Sequence, residues 1–99
     1  MQLLEQRIMT DGEILPGGIL KVDGFLNHQM DPQLLTAMGE EFHRLFDGMG
    51  VNKILTIEAS GIGPACFAGL AFGCPVLFAK KNRTSNLSGE FWTSRVYSF

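Results

Sequence analysis

Ile54-Leu55-Thr56-Ile57-Glu58-Ala59-Ser60-Gly61-Ile62-Gly63-Pro64 decides how the rest of the chain is organised. Its first four residues are apolar or β-branched, the composition of a parallel strand covered on both faces. Chemistry then starts abruptly. Glu58, Ser60 and two glycines fall at the carboxyl end of that strand, the edge where open α/β sheets bind ligands. Pro64 is predicted at the first helical position, where its missing N–H costs nothing. The amides of residues 60 to 63 are then predicted to face an anion at the helix N-terminus.

The helix runs from Pro64 to about Phe72, rich in alanine and glycine, with Gly73 as its C-cap. Cys74-Pro75 leads into Val76-Leu77-Phe78-Ala79, a second apolar run. Strand, helix and strand make a βαβ unit, which places both strands parallel. Lys80 and Lys81 then lie on the same sheet edge as Glu58 and Ser60, so two cations and a set of amides converge on one ligand site.

Upstream, Leu3, Leu4 and Ile8 share one side of a short helix over residues 2 to 9, stopped by Thr10-Asp11-Gly12. Glu13 to Leu26 carries the turn signal Pro16-Gly17-Gly18 and is expected to be irregular or short-stranded. Asn27 and His28 beside Phe25 and Leu26 read either as a small-molecule pocket or as a surface loop. Asp31-Pro32 opens a long helix by the N-cap and first-turn proline rules, and Gly48 or Gly50 ends it. Leu34, Leu35, Met38, Phe42, Leu45, Phe46 and Met49 form its core stripe, with Glu40, Arg44 and Asp47 opposite. His43 lies beyond that stripe and reads as solvated. Residues 82 to 95 are polar and aperiodic, a mobile loop by composition. Val96 to Phe99 begins a further strand.

Ninety-nine residues with 45% hydrophobic and 18% charged content describe one small globular unit. A doubly covered parallel sheet usually needs a longer chain. The net charge of −2 argues against nucleic-acid or membrane partners. It conceals an asymmetry, because residues 1 to 52 hold eight acids and three bases, whereas Lys53 onward holds five bases and two acids. A small anionic ligand suits that second half. Cys66 and Cys74 have neither metal nor redox spacing and read as buried small hydrophobes. Glu5 and Arg7 interrupt any leader-like apolar run, and no stretch is long enough to span a bilayer, so a cytoplasmic location is expected.

Three motif readings fail. Cys66 stands where a dinucleotide fingerprint needs its third glycine, and Pro64-Ala65 replaces the Lys-Ser/Thr of a nucleotide phosphate loop. Glu58 and Ile62 occupy the glycine positions of a hydrolase nucleophile elbow around Ser60. An ordinary strand-to-helix turn is the plain alternative for Glu58-Ala59-Ser60-Gly61.

Glu-Ala-Ser-Gly-Ile after one strand and Phe-Ala-Lys-Lys after the next, in that order, resemble the type I phosphoribosyltransferases. The run Leu20-Lys21-Val22-Asp23-Gly24-Phe25-Leu26-Asn27-His28-Gln29-Met30-Asp31-Pro32 and the terminal Ser94-Arg95-Val96-Tyr97-Ser98-Phe99 resemble the branch of that family that uses xanthine. The likeness covers the whole chain. It implies an α/β fold comprising the N-terminal half of a type I phosphoribosyltransferase: a hood with the N-terminal helix over residues 1 to 30, a helix plus parallel βαβ core over 31 to 81, and a flexible loop with a strand start over 82 to 99.

By that resemblance the complete enzyme moves ribose 5-phosphate from phosphoribosyl pyrophosphate to xanthine in purine salvage, giving XMP and pyrophosphate, with Mg²⁺ on the sugar diphosphate and a homodimeric assembly. Leu20 and Asn27 then contact xanthine. Glu58, Ala59, Ser60, Gly61, Lys80 and Lys81 bind pyrophosphate, the Ala59-Ser60 peptide being cis and strained. Arg83, Tyr97 and Ser98 sit in the closing loop. No protein metal ligand and no catalytic residue is assigned. The family's paired-acid loop for the 5-phosphate has no counterpart within residues 1 to 99, which implies a truncated chain, inactive alone, with an open sheet edge prone to aggregation. The alternative is a non-catalytic purine-binding or dimerising remnant of the same family.

Overall fold

A computed structural model describes residues 1–81 and 92–95. Its element order is α1 (Gln2–Asp11), β1 (Glu13–Leu15), β2 (Ile19–Lys21), α2 (Pro32–Leu45), β3 (Ile54–Ile57), α3 (Ile62–Phe72) and β4 (Val76–Ala79). The fold is mixed α/β and fits the N-terminal half expected above. The expected loop residues Arg83, Tyr97 and Ser98, and the strand start Val96 to Phe99, lie outside the described residues.

The centre is the βαβ unit. β3 and β4 pair in parallel from Ile54 opposite Val76 to Ile57 opposite Ala79, joined by α3. Gly73 at φ 68° ends α3, and the Cys74 amide donates to the Gly69 carbonyl at 3.1 Å, so the chain reverses straight into β4. Gly69 lets helix and sheet touch, since a Cβ there would stand 2.5 Å from Val76 Cγ2.

α2 packs on α3. Asp31 caps it, accepting from the Gln33 and Leu34 amides at 3.0 and 3.4 Å, with Pro32 at the first helical position. Gly39 is the point of closest approach, because a Cβ on it would collide with the Phe67 carbonyl. The helix stops at Leu45 with Phe46 as its cap, before the predicted Gly48. Leu34 and Leu35 are buried, but Phe42, Leu45, Phe46 and Met49 are exposed. Only the N-terminal half of the predicted stripe therefore packs. His43 is exposed as predicted, yet its ring meets Phe72 edge-on at 5.0 Å.

In the N-terminal segment, β1 and β2 form an antiparallel hairpin, Glu13 opposite Lys21 and Leu15 opposite Ile19. Pro16-Gly17-Gly18 turns it, with both glycines at positive φ. α1 runs two residues beyond the predicted end and is held to α2 by a polar cluster. Arg7 Nη1 reaches Asp31 Oδ2 at 2.6 Å and Arg7 Nε reaches Asp11 Oδ2 at 2.5 Å. Its guanidinium also lies 5.0 Å from the centroid of the fully buried Phe25 ring. The Arg7 contact, and next the Leu34 amide, hold the Asp31 carboxyl below the usual carboxylate range.

Two further burial expectations are overturned. Cys66 is exposed and Cys74 half-buried, because α3 turns Ala65, Ala68 and Gly69 inward and leaves Cys66 and Leu70 outside. Among the described residues the strands are covered on one face only. Ile54 and Thr56 face α3, whereas Leu55 and Ile57 are 70% and 61% exposed. Among the described residues the sheet has two strands and both outer edges are unpaired. No described helix is long and apolar enough to cross a membrane.

Candidate functional site

Parallel pairing fixes the site, because strands of equal length in register end at the same edge. The Glu58 amide donates to the Ala79 carbonyl at 2.9 Å, continuing the ladder one residue past β3. Glu58 Oε2 accepts from the Lys81 amide at 3.1 Å, and Glu58 Oε1 lies 3.7 Å from Lys80 Nζ. Lys80 also stands 5.8 Å from the Phe78 ring centroid. Two residue groups 22 positions apart in sequence are thus drawn into one cluster, as the strand order predicts. Glu58, Lys80 and Lys81 together carry a formal net charge of +1, and Lys81 Nζ pairs with no described carboxylate.

The turn above this edge differs from expectation in three respects. α3 begins at Ile62, with Gly61 as its cap, so Pro64 is the third helical residue. Proline is tolerated there because the first four helical amides have no partner within the helix. The Ile62 amide donates to the Ala59 carbonyl at 3.2 Å, which removes one of the four amides assigned to an anion. Ser60, Gly61 and Gly63 donate to no described backbone acceptor and keep the positive end of α3 open. The Ala59-Ser60 peptide is trans. A non-proline cis bond costs about 2.5–4 kcal/mol, and the hydrogen bond closing this turn does not demand it.

Thr56 and Met30 were not singled out from sequence, although both shape the turn. A Cβ on Gly61 would approach Thr56 Oγ1 to 2.8 Å, and one on Gly63 would collide with Met30 Sδ. The backbone at the site is therefore walled by a hydroxyl from β3 and a thioether from the segment before α2. Such tertiary contacts leave no mark in local sequence.

The two residues assigned to a purine lie apart in the chain. Leu20 is in β2 and half-exposed. Asn27 is exposed in the turn between β2 and α2. That turn is tied down at both ends: the Gln29 amide donates to the Asp23 carbonyl at 2.8 Å, and the Asp31 amide to the Phe25 carbonyl at 3.0 Å. Asp23 gathers the polar tips, with Asn27 Nδ2 at 3.5 Å from Oδ1 and His28 Nδ1 at 3.3 Å from Oδ2. An amide nitrogen held by Asp23 leaves Asn27 Oδ1 as the free acceptor. Asp23 and Arg7 were also missed in sequence, since neither belongs to a recognisable motif.

No family model matches the chain. Curated relatives do. The chain is 56% identical over all 99 residues to a xanthine phosphoribosyltransferase of Latilactobacillus sakei, covering 51% of that protein. It is 57% identical over the same span to that of Lactiplantibacillus plantarum, again covering 51%, and 54% identical to that of Listeria monocytogenes, covering 52%. The chain spans about half the length of the curated relatives it matches. It is a sequence relative of xanthine phosphoribosyltransferases over one half of them, consistent with their N-terminal portion.

Proposed function

We propose that this chain supplies the xanthine-recognition and pyrophosphate-binding parts of a xanthine phosphoribosyltransferase. The carrying observation is the Glu58, Lys80 and Lys81 cluster beside the open N-terminus of α3, at the carboxyl edge of the parallel strands. Pyrophosphate leaving C1′ of the sugar gains charge as the bond to ribose breaks. Ammonium groups and preorganised amides aimed at that charge stabilise the departure. In this reading Lys80, Lys81 and the amides of Ser60 and Gly61 hold the diphosphate, while Glu58 and Ala59 set the shape of the loop. Mg²⁺ would arrive on phosphoribosyl pyrophosphate and supply further charge neutralisation there.

Leu20 would pack on the purine face, and Asn27 would read its edge. With Nδ2 turned to Asp23, Oδ1 of Asn27 accepts from a ring N–H, and xanthine offers N–H groups beside its carbonyl oxygens. A purine presenting an acceptor at that position leaves Oδ1 unpaired, a loss that discriminates strongly between bases. Arg83, Tyr97 and Ser98 belong in this reading to a segment that closes over the sugar and excludes water. The complete enzyme is proposed as a cytoplasmic homodimer, and the chain of 99 residues alone as inactive in transfer.

Equilibrium binding tests the reading. Titration calorimetry with xanthine, and separately with Mg²⁺-pyrophosphate, should give saturable binding of each. Asn27→Ala should abolish the xanthine isotherm and spare pyrophosphate, and Lys80→Ala/Lys81→Ala should do the reverse. Binding of neither ligand, or loss of both in either variant, would overturn it.

A further inference from the structure

We infer that Asp23 is the positioning residue that sets base preference: it fixes which end of the Asn27 amide a purine meets, and so selects bases whose ring edge offers N–H groups. The inference rests on the reading that Asn27 contacts the purine edge. An asparagine side chain is nearly symmetric in shape, and a half-turn about its last bond exchanges an acceptor oxygen for a donor nitrogen. Free in solvent it presents either end and admits bases of either pattern. A selective site needs a neighbour that accepts only one.

Asp23 is that neighbour. The Leu26 and Phe25 amides donate to the Val22 carbonyl at 3.0 and 3.3 Å, so the chain makes one helical turn here. Residues 23 and 27, four apart, therefore come to the same side. The turn is braced around Asp23: its carbonyl accepts from the Gln29 amide at 2.8 Å, Gln29 Nε2 donates to the Gly24 carbonyl at 3.0 Å, and Phe25 is fully buried. The Asp23 carboxylate then divides its oxygens between two neighbours. Asn27 Nδ2 donates to Oδ1 at 3.5 Å, and His28 Nδ1 lies 3.3 Å from Oδ2, which restrains the carboxylate from rotating. An ionised carboxylate has no proton to give. With the Asn27 amide reversed, oxygen would face charged oxygen, whereas the observed direction is a charge-assisted hydrogen bond. The outward end is thus an acceptor. Xanthine carries N–H at both N1 and N3 of its six-membered ring, and adenine has bare acceptor nitrogens at both, so Asp23 favours the first and rejects the second.

The experiment titrates xanthine and adenine separately into the parent chain, Asp23→Asn, Asn27→Ala, Asp23→Asn/Asn27→Ala and Asp23→Glu by calorimetry, with far-UV circular dichroism as the check on fold. An asparagine at position 23 both donates and accepts, so the two directions of the Asn27 amide become comparable. Xanthine affinity should then fall about twofold and adenine affinity rise about tenfold or more. A structural lesion weakens both purines and cannot produce that gain. Asp23→Glu keeps a carboxylate and should keep the preference for xanthine, and the double variant should bind neither purine. Parallel weakening of both purines in Asp23→Asn, an unchanged ratio, adenine binding by the double variant, or loss of the folded spectrum in Asp23→Asn overturns the inference and leaves the Asn27 reading standing. Xanthine binding that is absent from the parent or indifferent to Asn27→Ala overturns that reading, and this inference with it.

Discussion

Replacing Gly39 by alanine sets two effects of opposite sign against each other in the middle of α2. Alanine is the better helix former, worth about 1 kcal/mol over glycine at an interior position. Against it stands the α2–α3 crossing, where the added methyl would lie 2.8 Å from the Phe67 carbonyl carbon and 3.2 Å from the Ala68 nitrogen, with the carbonyl oxygen nearer still. Those atoms are backbone in the middle of α3 and cannot swing aside, so α2 must move bodily away from its partner. Overpacking of this kind costs typically about 1–3 kcal/mol, and a clash with main chain belongs at the upper end. The net expectation is a loss of about 2 kcal/mol, or roughly 8–16 °C in Tm for a unit of this size. Gly24→Ala is the control, because a Cβ there meets nothing within 4 Å. Thermal unfolding by far-UV circular dichroism reads both. A Tm for Gly39→Ala equal to or above that of the parent would refute the reasoning, whereas a marked drop or loss of the transition supports it.

Three further outcomes are expected. The Asp31 carboxyl titrates lower in the folded chain than in the unfolded one, so its contribution to stability is present above the unfolded value near pH 4. It is lost as pH falls through the depressed folded value. Urea midpoints from pH 6 to pH 2 should decline less steeply in Asp31→Asn than in the parent, and parallel curves would contradict the assignment. Gly61→Ala should lower Tm through its contact with Thr56 Oγ1, and Gly61→Ala/Thr56→Ala should recover part of the loss; simple additivity of the two variants would deny that contact. Glu58→Gln raises the local charge from +1 to +2, and at separations of about 6 Å in solvent this should tighten pyrophosphate binding up to about tenfold, with weaker binding in calorimetry as the contrary result.

The legible parts of the fold were those with local causes. Asp31-Pro32 marks the start of α2 by local means, because a carboxylate capping two amides and a proline lacking its own are properties of four consecutive residues. The βαβ unit was legible for the same reason, and with it the meeting of Glu58 with Lys80 and Lys81, since parallel order fixes which strand ends coincide. Burial was less legible. Leu45, Phe46, Met49, Leu55 and Leu77 carry the hydrophobicity of core residues, but whether such a residue is covered depends on what is packed against it. Cys66 shows the same limit on a helix apolar on all sides, where sequence gives no preferred inward face. Pro64 misplaced the helix start by two residues because proline is acceptable throughout the first turn. The site's supporting cast, Thr56 behind Gly61 and Asp23 behind Asn27, acts through side chains that no local pattern distinguishes.

The register of the parallel pair also governs how the chain reaches its fold. Every partnered position, from Ile54 with Val76 to Ile57 with Ala79, is 22 residues from its mate, so no shorter loop can close first and ease the closing of the next. A hairpin such as β1–β2 zips from its turn, but this pair must meet across the full separation in one encounter. α3 makes that encounter feasible, because eleven residues wound as helix occupy about 16 Å and replace a fluctuating tether with a strut of fixed reach. Collapse of α3 against α2 is therefore expected to precede strand pairing. During synthesis the ordering is stricter still, since the anion site cannot exist until Lys81 has emerged from the ribosome, long after the strand and turn that present Glu58 and Gly61 are free to move.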